Sequence, residues 1–372
     1  MHSANDFLES EIKIPSQRAN LIQSSSLIIW DEAPMANRAV LECVDNVLRR
    51  IMNSDDPFGG KVILLSGDFR QTCPVIPRGG RDDVIEASIR SSFLWSDITV
   101  FTLTIPIRQA EDEEFQKYLD TIGEDASESV PLMYLQTCHR KTSLIDFVFP
   151  QDILDNSILC VPRSILCPTN RQVDFYNAQI LKRVDGTSRR YFSADSIKEA
   201  SDVGIIVPEG YIDYHRSHTP PGLPPHNLEV KINGVYRLMR NLSVDKGLVK
   251  NSRVIVKALG SSVISVQVIS KDGPLDEEVL LPRINFTYKI PGSGFTLCRK
   301  QFPLSPAYST TFNSCQGLTL DKVGIDATSP VFSHGQLYTA LSRIRKRQDG
   351  MVCVNHGATE LDNVTFEELL HL

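Results

Sequence analysis

The sequence predicts an α/β protein with a small antiparallel β insertion, and three observations carry that expectation. Short apolar runs ending in polar residues alternate with segments of helical period. The texture changes to short β-rich runs between residues 229 and 290, and the α/β alternation then returns. With 372 residues, 41% of them hydrophobic, the chain is long enough for about two or three domains with ordinary cores. A small disulfide-stapled protein and a disordered chain are both excluded.

The first apolar run, SLIIWDE at residues 26–32, ends in two carboxylates and reads as a strand buried on both faces of a parallel sheet. After Pro34, Val40, Leu41, Val44, Val47, Leu48 and Ile51 recur at helical spacing, and DDPFGG at 55–60 is a turn. KVILLSGDFRQ follows as a second strand. Strand, helix and strand of these lengths form a right-handed crossover whose ligands bind beyond the carboxyl ends of the strands. Asp31, Glu32, Asp68 and Gln71 are therefore expected in one crevice. ITVFTLTIPIRQ at 98–109 is a third strand candidate, ending in Arg108 and Gln109, and EDEEFQKYLDTI is helical.

A second α/β unit starts at 164, with SILCPTN as strand and turn and VDFYNAQILKRV as an amphipathic helix. SHTPPGLPPHN at 217–227 reads as a linker. VYRLMRNL, SRVIVKAL, SVISVQVIS and EEVLLPRINFTY then form the β insertion. The strand KVGID and the helix GQLYTALSRI restore the α/β pattern. These boundaries give expected divisions at 1–150, 151–220, 221–290 and 291–372.

Charge and cysteine usage narrow the class of function. Thirty-nine basic against 45 acidic residues give a net charge of −6, so contact with nucleic acid would be confined to a local groove. Eight scattered cysteines without a Cys-x-x-Cys pair argue for reduced thiols and against zinc ribbons. No apolar run approaches the roughly 18 residues of a membrane span. The start, MHSANDFLESEIKIP, lacks the features of a signal or transit peptide. The expectation is a soluble, intracellular, membrane-free protein.

An apolar strand ending in Asp-Glu suits a site where the first carboxylate, Asp31, holds Mg²⁺ and the second, Glu32, activates a water. The same pair also suits a helix N-terminus. Gly67-Asp68-Phe69-Arg70-Gln71, one crossover later, brings an amide that can sense a γ-phosphate, with Asp68 beside it. Ser305–Leu320 is hydroxyl-rich before Gln316-Gly317, a pattern suited to sugar-phosphate contact. In LYTALSRIRKR, Tyr338, Leu341 and Ile344 share a helical face, and Arg343 beside them could stabilise charge on a transferred phosphate. Arg345, Lys346 and Arg347 read as a solvated basic helix end. His215, His218 and His226 read as an exposed loop rather than a metal site. Cys138-His139, placed on a helix, reads as structural rather than as a nucleophile pair.

These residues resemble the Pif-one-like DNA helicases of superfamily one, especially the version carried by Helitron transposons. SLIIWDEAPM is similar to that family's motif II, LLSGDFRQTCPVIPRG to motif III and LTIPIRQ to motif IV. YSTTFNSCQGLTLDKVGID resembles motif V, and LYTALSRIRK motif VI. GLPPHNLEVKINGVYRLMRNLSVDKGLVKNSRVIVKALG resembles the family's small β-rich insertion.

The resemblance implies two RecA-like P-loop NTPase domains with the insertion in the second. It implies ATP and Mg²⁺ as cofactors and single-stranded or forked DNA as partner. It also implies five-prime to three-prime unwinding, a monomer, and residence in the nucleus ahead of the mitochondrion. In that scheme Asp31 holds the metal, and Asp31, Asp68, Gln71, Gln316, Gly317 and Arg343 surround nucleotide. Asp31, Glu32, Gln71, Arg108 and Arg343 do the chemistry, and Pro74, Thr311, Asn313 and Ser314 meet DNA.

The chain also departs from the family pattern. The first 30 residues hold no glycine and no G-x-x-x-x-G-K-[ST] loop, so the first domain is expected to be incomplete and Met1 a truncation point. Ser314 stands where the family usually has lysine, and Ile105-Pro106 replaces a polar approach to Arg108. A fragment without catalysis that at most binds DNA is the rival expectation.

Overall fold

The computed structural model describes residues 8–77, 79–199, 219–220, 222–270, 273–290, 293 and 295–370. The chain divides into two compact units. One comprises 1–139, 312–318 and 327–372, and the other 140–311 and 319–326. His215 and His218, with residues 217 and 221 of the proline-rich linker, lie outside the described residues.

The first unit begins with α1 (Gln17–Ser24), capped by the Ser16 hydroxyl, which accepts from the Ala19 N–H. Then come β1 (Leu27–Trp30), α2 (Arg38–Met52) and β2 (Val62–Leu65). β1 and β2 pair in parallel, Leu27 opposite Val62 and Trp30 opposite Leu65. α2 is capped by Asn37 and buries Leu41, Val47, Leu48 and Ile51 along its apolar stripe. The expected turn at 55–60 is pinned by buried Asp45 in α2, whose carboxylate accepts from the Phe58 N–H at 2.6 Å and from Arg49 at 2.8 Å.

Two expectations fail here. Ile28, Trp30, Ile63 and Leu65 pack on the α2 cluster, but Leu27, Ile29, Val62 and Leu64 are 49% to 63% exposed. The sheet is thus covered on one face rather than two, because the described strands of this sheet number two and α2 lies on one side. Residues 98–109 form no strand: Phe101, Leu103, Ile105 and Ile107 are exposed, Leu103 at 96%. An alternating apolar run makes a strand only where a partner edge receives its backbone bonds.

Helices α3 (Arg81–Ala87) and α4 (Glu113–Glu124) follow. α4 spans the expected helical stretch and buries Phe115, Tyr118, Leu119 and Ile122. Gln136–Cys138 pairs in parallel with Gly350–Cys353, and Ser129–Pro131 pairs antiparallel with Glu360–Asp362. Cys138 therefore ends a strand rather than lying on a helix, and His139 stacks on His356 at 4.6 Å.

In the second unit the strand Arg163–Cys167 is flanked in parallel by Ser309–Thr311 and Lys322–Asp326. Asn170–Arg183 is the amphipathic helix expected after it. Its buried Asn177 accepts the N–H groups of Tyr308 and Ser309, both at 3.0 Å. The β-rich region is antiparallel, in the order Gly273–Pro282, Val263–Ser270, Arg253–Leu259, Val235–Leu238, Leu304–Pro306. EEVLLPRINFTY divides at Arg283 into two strands, the later of which joins Phe295–Gln301 and Ala194–Glu199.

His226 is not an exposed loop residue. Its Nδ1 lies 2.8 Å from the Ser193 hydroxyl and 3.6 Å from Asp195, which is gripped by the buried Arg299. Among the described residues no group of three or more His, Cys, Asp or Glu side chains could hold a metal. None of the eight cysteines forms a disulfide, and five of them are buried. No helix among the described residues is long and apolar enough to cross a membrane.

Candidate nucleotide-facing site

The site is assembled within the first unit from four stretches of chain. At the carboxyl end of β1, Asp31 Oδ1 accepts from the Ser66 hydroxyl at 2.8 Å and from the Glu32 N–H at 3.0 Å. Glu32 has left-handed backbone, φ 54°, a conformation costly for a side chain other than glycine and maintained only where its surroundings hold it. The Ser66 carbonyl accepts from the Ala33 N–H at 2.9 Å, which fastens the turn after β1 to the end of β2. Gly67 then passes so close to Pro34 that a Cβ would sit 2.2 Å from its Cδ.

The loop Asp68–Gln71 comes next. Asp68 accepts from the backbone and side chain of Arg70 and from the Tyr338 hydroxyl. Arg70 continues to Asp120 at 3.0 Å and lies over the Tyr338 ring. Burial alone would lower the Arg70 pKa, but Asp68 and Tyr338 outweigh it and the net shift is upward. Gln71 Oε1 is buried and has no hydrogen-bond partner. A buried acceptor without a donor marks a place where a ligand or water completes the bonding.

Arg108 and the buried Arg343 face this loop across a solvent-open cleft of about 530 Å³. Asp68, Arg70, Gln71, Gln109, Asp120 and Tyr338 also line it. Arg108 donates to the Ser342 carbonyl, and Arg343 to the carbonyls of Thr339 and Leu318 and the Ser342 hydroxyl. Burial lowers the Arg108 pKa, and the like charges of Arg343 and Arg345 lower it further. Gln109, buried, donates to the Ser342 and Ile344 carbonyls and so anchors Arg108 despite the missing strand.

Glu32 belongs to the same electrostatic unit. Burial raises its pKa first and the Asp31 charge second, against the opposing pull of Arg343 and Arg108. Gln316 bridges to it, accepting from the Thr72 hydroxyl at 2.9 Å through Oε1 and approaching Glu32 Oε2 at 3.5 Å through Nε2. Gly317 is exposed with φ 73°.

The residues expected at DNA are spread more widely. Pro74 is buried, Asn313 accepts from Gln336 at 2.9 Å, and Ser314 is exposed. Thr311 belongs to the second unit. Arg345, Lys346 and Arg347 do not form a solvated helix end. The helix Gln336–Leu341 stops before them, Lys346 pairs with Glu111, and Arg347 pairs with Asp112 and Glu114 beside the start of α4.

Thr72, Thr339 and His334 were not visible as site residues in the sequence. Thr72 donates its N–H to the Thr339 hydroxyl at 3.0 Å, and nothing in local spacing announces a pair 267 residues apart. The residue before Gly335 could have been suspected, because a glycine opening a helix marks close backbone approach.

Parallel strand pairs with helices between them, beside an antiparallel β region, define the class: an α/β fold of RecA-like domains. The family model described as PIF1-like helicase matches residues 2–129. The chain is 27% identical over 340 residues to the ATP-dependent DNA helicase PIF1 of Xenopus laevis, covering 90% of this chain and 47% of the relative. Against the Homo sapiens ATP-dependent DNA helicase PIF1 the identity is 26%, with the same coverage. The chain thus spans about half the length of the curated relatives it matches.

Among solved structures it is similar to Pif1 helicase from Candida albicans, with a TM-score of 0.65 at 22% identity, covering 95% of this chain and 77% of that one. It is also similar to Bacteroides Pif1 bound to ssDNA, with a TM-score of 0.65 at 24% identity and coverage of 92% and 74%.

Proposed function

We propose that this chain is the motor core of an ATP-dependent DNA helicase that couples ATP hydrolysis to single-strand translocation and duplex unwinding. The observation that carries the reading is the cleft in which Arg108 and Arg343 face Gln71, whose Oε1 has no partner, with Glu32 outside its lining but near enough that both arginines oppose the rise of its pKa on burial. The donor set suits Mg²⁺ and a nucleoside triphosphate: hard carboxylate oxygens on one side, two planar guanidinium groups on the other.

Asp31 would hold the metal, with Asp68, Gln71, Gln316, Gly317 and Arg343 around the nucleotide. When bound, Mg²⁺ and ATP supply the electrophilic phosphoryl group. Glu32 takes a proton from water, and Gln71 orients that water through the oxygen that lacks a partner. Arg108 and Arg343 exchange carbonyl partners for phosphate oxygens and so offset the charge that develops there.

Single-stranded and forked DNA are the partners in this reading. Pro74, Thr311, Asn313 and Ser314 are assigned to the DNA path, Pro74 only after a rearrangement that exposes it. Five-prime to three-prime polarity, a monomeric state and a nuclear setting ahead of a mitochondrial one complete the reading. So does service in repair, recombination, telomere maintenance or Helitron-type transposition.

The test joins a G-x-x-x-x-G-K-[ST] segment to this chain and measures ATP hydrolysis with and without single-stranded DNA. Glu32→Gln should abolish DNA-stimulated turnover while nucleotide binding persists. Turnover retained in that variant sinks the assignment.

A second reading is a fragment without catalysis that at most binds DNA. The lack of a G-x-x-x-x-G-K-[ST] loop within the 372 residues favours it, since that loop supplies the phosphate cradle. ATP hydrolysis by the 372-residue chain above that of its Glu32→Gln variant would exclude this reading.

A further inference from the structure

His334 is fully buried and uses both ring nitrogens. Nδ1 accepts from the Phe366 N–H at 2.8 Å, so the proton resides on Nε2, which donates to the Phe69 carbonyl at 2.7 Å. Its ring stacks on Phe366 at 5.3 Å. The next residue, Gly335, donates its N–H to the Val364 carbonyl at 2.9 Å. Gly335 also lies so near the Arg70-Gln71 peptide that a Cβ would come within 2.5 Å of the Arg70 carbonyl oxygen. Residues 334–335 therefore grip the tail segment 364–366 on one side and the loop 69–71 on the other.

Phe69 carries the effect outward. Its ring meets Trp95 edge-on at 5.6 Å, with the Arg90 guanidinium over it at 4.2 Å. Loss of the His334 bond frees the carbonyl of a residue that stands between Asp68 and Arg70, two positions before the unpartnered Gln71 amide. Burial holds the His334 pKa below the ordinary histidine value, so the neutral tautomer that these two bonds require persists at neutral pH.

We propose that His334 is a positioning residue that sets the height of the Asp68–Gln71 loop by tying it to the tail segment 364–366. The proposal rests on the reading of Gln71 as the phosphate-facing amide. It assigns His334 no contact with nucleotide. Glutamine can reproduce both bonds, amide N–H to Phe69 and amide oxygen from Phe366, whereas leucine reproduces neither.

The experiment compares the full chain with its His334→Gln and His334→Leu variants. Tryptophan emission and acrylamide quenching read the Phe69–Trp95 contact, amide hydrogen exchange reads residues 69–72 and 364–366, and imidazole nitrogen shifts read the tautomer of His334. The expected result is a neutral Nε2–H tautomer, with exchange accelerated in both segments and altered Trp95 emission in His334→Leu. His334→Gln should return toward the parent.

In the chain joined to a phosphate loop, His334→Leu should lower kcat about tenfold with KM within about twofold, the pattern of lost positioning. A folded His334→Leu protein with parent-like emission and parent-like exchange at 69–72 overturns the proposal, as does an Nδ1–H tautomer. If the parent itself fails to turn over ATP, the motor reading fails, while the emission and exchange measurements still decide the role of His334.

Discussion

The Tyr338 hydroxyl donates to Asp68 Oδ2 at 3.1 Å, joining residues 270 positions apart in the sequence. The same ring lies beneath Arg70, and Gly123 is packed against both, since a Cβ there would come within 2.9 Å of them. Tyr338 is therefore a wedge that fixes the acidic end of the Asp68–Gln71 loop. Removing the hydroxyl alone, in Tyr338→Phe, should destabilise the protein by about 1.5 kcal/mol, the lower end for a hydrogen bond to a charged group, because Asp68 keeps its pairing with Arg70. Tyr338→Leu should cost about 3 kcal/mol because the ring's packing and its cation contact are lost as well. Urea denaturation of both variants checks the order, and equal losses would show that the ring itself contributes nothing.

Glu32 makes a pH-dependent claim. A base must be deprotonated to act, and burial together with Asp31 raises its pKa, so the active form is lost at a higher pH than for an ordinary carboxylate. The acid limb of kcat in a chain joined to a phosphate loop should sit above the usual glutamate range. Because Asp31 is assigned to the metal, Asp31→Asn is read by carboxyl titration of the nucleotide-free protein, where removal of the like charge should lower the Glu32 pKa. A Glu32 titration unchanged in that variant would remove Asp31 as a cause.

Gly67 should tolerate no side chain. The Cβ added by Gly67→Ala meets Pro34 Cδ at 2.2 Å, and the ring has no flexible end to move aside. Overpacking of this kind costs about 1–3 kcal/mol. Because Pro34 follows Glu32 by two residues, the variant should also loosen the Asp31–Glu32 turn. Amide exchange at Ala33, whose N–H is bonded to the Ser66 carbonyl, measures that directly. Parent-like exchange would mean that the clash is relieved elsewhere.

Asp45 tests the support beneath the site. It is 1% exposed and accepts from both the Phe58 N–H and Arg49. Asp45→Ala leaves a buried amide without an acceptor and should cost about 2–3 kcal/mol, most of it from that unsatisfied donor. Arg49→Ala should cost about 1–2 kcal/mol, less than Asp45→Ala because the buried carboxylate loses its cation but keeps the Phe58 N–H. Thermal melts of the two variants check the asymmetry.

Much of the site's chemistry was legible because it lies in short stretches of chain. Asp31 and Glu32 follow an apolar run by one residue, and Gln71 follows the next, so a single crossover brings them near one another whatever else the fold does. Arg108 and Arg343 were nameable by type and motif, but their carbonyl partners at Ser342, Thr339 and Leu318 were not. A backbone carbonyl carries no sequence signature. Residues 98–107 read as a strand because their apolar alternation is real. Pattern reports what a segment can pair with, and pairing requires an edge within reach.

The sequence by itself determined the α/β class, the order of its strands and helices, and the carboxylate, amide and arginine residue types around the cleft. Those follow from periodicity and from residues adjacent along the chain. Only the tertiary structure decided that one face of the β1–β2 sheet is exposed and that Lys346 and Arg347 pair with acids near α4. It alone also decided that Tyr338, Thr339 and His334 hold the loop at 68–72. The acid pairs near α4 and the hold on the loop depend on contacts between segments more than 200 residues apart, and local pattern carries no information about which distant surface will fill a gap or satisfy a buried donor.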